Sequence, residues 1–474
     1  MTTAAARQDG IVADLIRIAG PSNVTAGSSV GDRYRRDWSG DVAGLPLAMV
    51  RPNTVAQVSE IVAHCAQNRL KLVVQGGHTG LVSGASPSDD GDEIVMSMEL
   101  MNAIGYLDEH NFSLVVQAGC VLEKVRDHVA ERGFLFPLAL GSQGSCQIGG
   151  AIATNAGGLN VLRYGMMRDL VLGIEAVLPD GRIWNGMRAL RKDNTGYDIK
   201  QMILGSEGTL GVVTAATLKL FPAPTRIETA LVALPDAAAV IDLYAHARRE
   251  LSDLLSAFEL LTQRGMDFSG QANPVSVPSP VYVLIEVSAS GLADVRVMLE
   301  TFLGKALEDF LIVDAAFAGS HAQAAGFWKI REEIIEAQLR GGRHLRTDVS
   351  MPISAIPEFL GKATAAVEAL MSEAVVLAYG HVGDGNLHFN VVPPRALDLE
   401  QQIEFLHACE EIIFEAVDAF DGSISAEHGI GRLKREAFLK RISPVHADIL
   451  RSLKAAFDPG GFLGPGRILE ETRR

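Results

Sequence analysis

The sequence predicts an α+β protein of two or three domains, and three observations predict it. The chain is 474 residues long, more than a single hydrophobic core usually organises. In its first half, short apolar runs lead directly into glycine-rich loops. After Pro222-Ala223-Pro224 the texture changes to strands and helices in alternation, the pattern of a compact α+β domain. The balance of 48% hydrophobic and 21% charged residues is that of an ordinary globular protein.

Charge and cysteine content narrow the class. Lys+Arg 42 against Asp+Glu 57 leaves a net charge of −15, which argues against a nucleic-acid partner. Four cysteines, at 65, 120, 146 and 409, show no C-x-x-C spacing and suit free thiols in a reducing compartment. Asp14 and Arg17 interrupt the apolar residues of the N-terminus, so no cleavable signal is expected. No run of about 18 apolar residues occurs, and no transmembrane helix is expected. A cytoplasmic enzyme is the default expectation.

The elements follow in order. Residues 9–20 read as a short amphipathic helix, and the next thirty are polar and turn-rich. Thr54 is placed to cap a helix whose apolar face is Val55, Val58, Ile61, Val62 and Cys65. The run 70–74, LKLVV, reads as a strand that feeds QGGHTGLVSG at 75–84. A strand leading into a glycine loop can cradle phosphate with successive backbone N–H groups, or it can be an ordinary tight turn. Further strands are expected at 93–98 and 113–118, and a helix from 121 to about 132. The segment 170–183 reads as a hairpin turning at Pro179-Asp180-Gly181. Residues 213–220 alternate as a strand. Beyond the proline pair come strands at 229–235 and 281–288, and helices over 236–250, 291–306, 326–339 and 399–419.

The stretch 141–158, GSQGSCQIGGAIATNAGG, is the centre of the first half. Six of its eighteen residues are glycine, and it has no long charged side chain and no aromatic. Glycine lets backbone N–H groups approach a large flat ligand without a Cβ in the way. Ile148, Ala151, Ile152 and Ala153 set it apart from a flexible Gly/Ser linker.

The second half carries the titratable clusters. His381 and His388 lie in H-V-G-D-G-N-L-H, where the Gly383-Asp384-Gly385 turn can bring both imidazoles to one place. With the Glu427 carboxylate they would make a divalent-metal site with open positions; the alternative is unrelated polar residues around a turn. His428 is a natural general base. Arg331, Arg346 and Lys434 could clamp a carboxylate, Lys434 the weakest because a solvated surface charge explains it as well.

Taken together, QGGHTGL, the 141–165 stretch, LRKDNTGYDIKQMILGSEGTLGVVT, YGHVGDGNLHFNV and SAEHGIG, in that order, resemble the vanillyl-alcohol oxidase/p-cresol methylhydroxylase class of FAD enzymes. Within it the chain is most similar to the D-2-hydroxyglutarate dehydrogenases and their D-lactate dehydrogenase relatives, from about Arg51 to Arg467. The resemblance implies an FAD-binding domain at 1–222 made of two subdomains, an α+β substrate or cap domain at 223–424, and a segment at 425–474 that returns to the flavin. It implies FAD contacts from Gln75, Gly76, Gly77, His78, Thr79, Gly80 and Leu81. It implies more from Gly141, Ser142, Gly144, Ser145, Gly149, Thr154, Asn155, Gly157 and Gly158, and from Glu207, Gly208 and Val213. His381, His388 and Glu427 would hold a divalent metal, zinc first among them. Asn390 and His428 would face a small 2-hydroxy acid, and Arg331 and Arg346 would bind its carboxylates. Electrons would pass to an acceptor such as an electron-transfer flavoprotein or a quinone, and a homodimer is one assembly to expect.

Three departures stand out against that resemblance. Ile335 occupies a position where the 2-hydroxyglutarate enzymes have Thr, and Arg346 one where they have Lys. His78 replaces an Asn, in a G-G-H context that in some members of the class carries covalent flavin; a His that only positions the backbone is the other reading. Gly464 stands before Pro465 where Asn is usual.

Overall fold

The computed structural model describes residues 2–38, 40 and 42–471. The chain forms two compact units. One comprises Met1–Gly158, Gly165–Pro222 and Glu427–Arg474, and the other Leu159–Tyr164 and Ala223–Ala426.

In the first unit the expected N-terminal helix runs over Thr2–Ala19. The helix Val55–Asn68 begins where Thr54 Oγ1 accepts the Gln57 N–H at 3.2 Å. It buries Val58, Ile61, Val62 and Cys65, the stripe that its spacing predicts. Arg69, in the left-handed region, ends it and turns the chain into the strand Lys71–Gln75. That strand pairs parallel to Glu93–Ser97, which pairs parallel to Ala48–Val50, with Val24–Ala26 antiparallel at the edge. The helix is the crossover that parallel pairing requires.

A second, antiparallel sheet has the order Ile104–Asp108, Ser113–Gln117, Val212–Lys219, Val171–Val177, Ile183–Gly186. The hairpin expected at 170–183 is its last pair, with Val177 opposite Ile183. Within the glycine-rich stretch, Ile148–Ala153 is a short helix rather than loop. The C-terminal segment is built into this unit. Phe462 and Leu463 belong to its core, and Leu463 bridges Leu72. Arg467 is buried, pairing with Glu93 at 2.5 Å and donating to the Ser86 carbonyl at 2.6 Å.

The second unit is a seven-stranded antiparallel sheet. Its order is Asp314–Phe317, Arg226–Leu234, Val281–Ala289, Leu255–Thr262, Val375–His381, Asn386–Val392, Asp348–Ser350. Helices Ala237–Glu250 and Ile356–Leu370 cover one face, through the Tyr244–Phe258 and Phe359–Phe389 ring contacts. The other face packs on the helix His321–Gly341, whose Phe327, Ile330 and Ile334 meet Leu231, Leu261, Tyr282 and Leu284. Ile335 joins that apolar cluster. Among the described residues no helix is long and apolar enough to cross a membrane.

Candidate functional site

The two glycine motifs of the first unit line one cleft of about 600 Å³. The 75–81 loop contributes Gly77, His78 and Thr79, and the 141–158 stretch contributes Gly141, Ser142, Gly144 and Ser145. A third wall, with Arg33, Arg36 and Trp38, was not identified from sequence. Its only signal was two arginines and a tryptophan inside a turn-rich segment. Asp32 and Asp37 line the same wall and balance its arginines, so the backbone N–H groups of the glycine loops are what suit the cleft to an anion.

The glycines divide by role. A Cβ on Gly77 would strike the Ser145 carbonyl, and one on Gly149 would sit 2.7 Å from Ala118 Cβ. Those two are glycine because protein backbone packs against them. At Gly80, Gly141 and Gly150 a Cβ would meet nothing within 4 Å.

Several residues expected to contact the cofactor are turned to the protein. The buried Gln75 donates to the carbonyls of Tyr34 at 2.9 Å and Ala85 at 2.8 Å, tying the end of its strand to two other segments. His78 uses both ring nitrogens, Nδ1 with the Arg33 carbonyl at 2.9 Å and Nε2 with Ser86 Oγ at 3.0 Å. Burial holds its pKa below the usual imidazole value. Thr154 Oγ1 donates to the Gly150 carbonyl, and Asn155 Oδ1 accepts the Arg168 N–H. Val213 is buried in its strand, and Gly208 takes a positive φ of 73° beside Glu207.

Glu207 spends both carboxylate oxygens on the backbone N–H groups of Ile430 and Gly431, each at 2.7 Å. It therefore holds the loop that follows Glu427 and His428. Burial raises its pKa, against the lowering effect of those two N–H donors. Glu427 Oε1 in turn accepts the Gly158 N–H at 2.6 Å.

In the second unit the polar side chains gather on the sheet face beneath the helix His321–Gly341. Residues directly opposite in an antiparallel ladder share a face. Glu259 is opposite His381, Tyr379 opposite His388, Leu377 opposite Asn390, and Asp348 opposite His388. The turn between the histidines is a short 3-10 segment, Val382–Asp384, closed by Gly385 at φ 80°. It brings the two rings to 5.9 Å, edge to face. Asp348, missed from sequence, is fully buried, and its ligand atom lies within 4.8 Å of that of His388. Ala426, the last residue of this unit, donates its N–H to the Asp348 carbonyl at 3.2 Å.

Arg331 is buried on the covering helix. Its Nε donates to Glu259 Oε2 at 3.2 Å, and its guanidinium lies 5.1 Å from the centre of the Tyr379 ring. Asn390 donates to Gln338 Oε1 at 2.8 Å and to the Tyr379 hydroxyl at 3.2 Å, and accepts the Thr347 N–H. Burial pushes the Tyr379 phenol up from its usual pKa. Arg346 Nε donates to His344 Nε2 at 2.9 Å. Lys434 belongs to the first unit and is buried rather than a solvated surface charge.

Residues 46–186 match the family described as FAD binding domain, and residues 223–468 match FAD linked oxidases, C-terminal domain. D-2-hydroxyglutarate dehydrogenase, mitochondrial, of Bos taurus is 40% identical over 91% of this chain and 78% of its own. The chain belongs to the FAD-linked D-2-hydroxyglutarate dehydrogenase family. Its similarity to the Arabidopsis thaliana protein of the same name is 38% over 96% of this chain and 80% of the relative. To the Xanthomonas citri pv. viticola D-2-hydroxyglutarate dehydrogenase it is 36% over 93% and 92%. Among solved structures, p-cresol methylhydroxylase superposes with a TM-score of 0.77 at 16% identity, covering 98% of this chain and 97% of that one. Alkyldihydroxyacetonephosphate synthase gives 0.73 at 17% identity, over 96% and 84%. At such identities the likeness speaks to the fold, which is that of the vanillyl-alcohol oxidase/p-cresol methylhydroxylase class. This family member is an FAD-dependent dehydrogenase.

Proposed function

We propose that this enzyme oxidises the 2-hydroxyl of a D-2-hydroxy acid, D-2-hydroxyglutarate first, to the 2-keto acid. FAD occupies the cleft between the two glycine motifs, and a divalent metal, zinc by its donor set, takes His381, His388 and Glu427. The observation that carries this reading is the gathering of buried Arg331, His381 and Asn390 with half-buried His388 between the sheet and its covering helix, in a chain 40% identical to a D-2-hydroxyglutarate dehydrogenase. Two imidazoles and carboxylate oxygens are the donors of a metal site that keeps positions for substrate, and Asp348 offers a further oxygen beside His388.

The chain's own residues have distinct tasks. Arg331 and Arg346 bind carboxylate, since a guanidinium matches it with two parallel hydrogen bonds. His428 takes the hydroxyl proton, as an imidazole near working pH can. Asn390, fixed by Gln338 and Tyr379, presents a rigid amide edge to the substrate. The metal, when bound, lowers the pKa of the 2-hydroxyl, and FAD, when bound, accepts the hydride from C2. The acceptor that reoxidises the flavin is an electron-transfer flavoprotein or a quinone. Four buried free thiols support a reducing, cytoplasmic setting.

A second reading, a substrate of D-lactate type with an apolar side chain, is favoured by Ile335. It has no hydrogen-bonding group and packs in the apolar cluster under the Arg331 helix. A panel of D- and L-2-hydroxy acids with an artificial electron acceptor, run with and without a chelator, separates the readings. D-2-Hydroxyglutarate should give the highest kcat/KM; preference for D-lactate selects the second reading. Turnover of L-isomers alone would overturn both, and full activity after verified metal removal would overturn the metal role.

A further inference from the structure

Glu259 lies at the middle of the second unit's sheet, on the strand Leu255–Thr262, and is 1% exposed. Its two oxygens face two different residues of the proposed site. Oε2 accepts from Arg331 Nε at 3.2 Å, and Oε1 lies 3.6 Å from His381 Nε2. The ladder fixes this arrangement, because Glu259 and His381 are directly opposed and share a face. The other edge of the His381 ring faces Asp384, with Nδ1 and Oδ2 3.6 Å apart. Tyr379 lies under the guanidinium and bonds Asn390, so Asn390, Tyr379, Arg331, Glu259 and His381 form one connected array.

A buried ion pair of this kind gains little net stability, because desolvating both charges offsets their attraction. Geometry is a better account. An arginine that clamps carboxylate uses its terminal nitrogens, and a carboxylate on Nε fixes the plane of the fork. With Glu259 facing Nε2, a metal would take Nδ1, the edge that Asp384 also faces, and an imidazole that binds a metal through one nitrogen is oriented by an acceptor at the other.

We propose that Glu259 is a shared positioning residue: one buried carboxylate sets both the Arg331 guanidinium and the His381 imidazole. This couples recognition of the substrate carboxylate to the shape of the metal site. The inference rests on the metal and substrate reading given above, and its test separates the two.

Wild type, Glu259→Gln and Glu259→Asp are purified as holoenzymes. FAD content and melting temperature report the fold. KM and kcat for D-2-hydroxyglutarate report Arg331, and competition for zinc against a chromophoric chelator reports His381. In E259Q, with FAD retained, KM should rise about tenfold and zinc affinity should fall about tenfold. E259D keeps the charge on a shorter arm and should recover part of both. If E259Q does not retain FAD, E259D is judged on the same two measurements. A variant with FAD retained and either KM or zinc affinity at the wild-type level overturns the shared role. Wild-type protein that takes up no zinc overturns the metal reading instead.

Discussion

At the scale of single residues, His78 and Glu286 show what chemistry the fold adds to the sequence. The G-G-H motif leaves open whether the imidazole bonds flavin or backbone. The partners that decide it, the Arg33 carbonyl and Ser86 Oγ, lie in other loops. With both ring nitrogens engaged, FAD should be released on acid precipitation, and the yellow colour should appear in the supernatant. Colour retained in the pellet would show a covalent bond. Glu286 is a half-buried carboxyl that accepts from Trp328 Nε1 at 3.0 Å and Ser256 Oγ at 3.1 Å. Burial raises its pKa, more than those donors lower it. The stability it contributes is present at acid pH and is lost as pH rises through its raised pKa. Glu286→Gln removes that dependence. Melting temperatures compared on the acid side of the ordinary carboxylate range and again at neutral pH should therefore shift in the variant's favour as pH rises. A gap that does not change with pH would show that Glu286 does not titrate as its burial requires. Glu207 marks the limit of motif reading. SEGTLG is recognisable as part of a pocket, but its carboxylate holds residues 430 and 431, more than two hundred positions away.

At the scale of elements, legibility followed periodicity. The helix Val55–Asn68 was readable from its cap and its apolar stripe, and the hairpin from its Pro-Asp-Gly turn. The strand Leu255–Thr262 was not, because nearly every residue is buried and no alternation marks it. That strand carries Glu259, so the carboxylate behind Arg331 and His381 stayed hidden with it. The helix Ile148–Ala153 was missed because its two glycines read as loop. Packing against the neighbouring sheet strand overrides that preference, since the Gly149 N–H reaches the Ala118 carbonyl at 2.7 Å. Gly77 docks one glycine loop on the other. Gly77→Ala should force the Ser145 backbone away and lower the flavin bound per protein several-fold. The ratio of flavin to protein absorbance measures this, and a ratio equal to wild type would show that the cleft tolerates the shift.

At the scale of the whole molecule, the chain leaves the first unit after Pro222 and returns to it at Glu427. The Pro-Ala-Pro break was visible in the sequence. The brief excursion of 159–164 into the second unit was not, because six residues give no compositional signal; Arg163, donating to the Ser288 carbonyl at 2.6 Å, is what holds it there. Arg467→Ala would leave Glu93 buried without its guanidinium and should cost the first unit about 3–5 kcal/mol. Denaturant titration followed by FAD fluorescence measures that loss, and an unchanged midpoint would show that the pair is not needed. The return of the chain also sets an order of synthesis. Phe462 and Leu463 complete a core whose other members, from Ile11 to Val212, are translated far earlier. Until the 462–467 segment has been made, that core lacks two of its members, so a nascent chain stalled before that point would leave apolar surface uncovered, which suits it to chaperones.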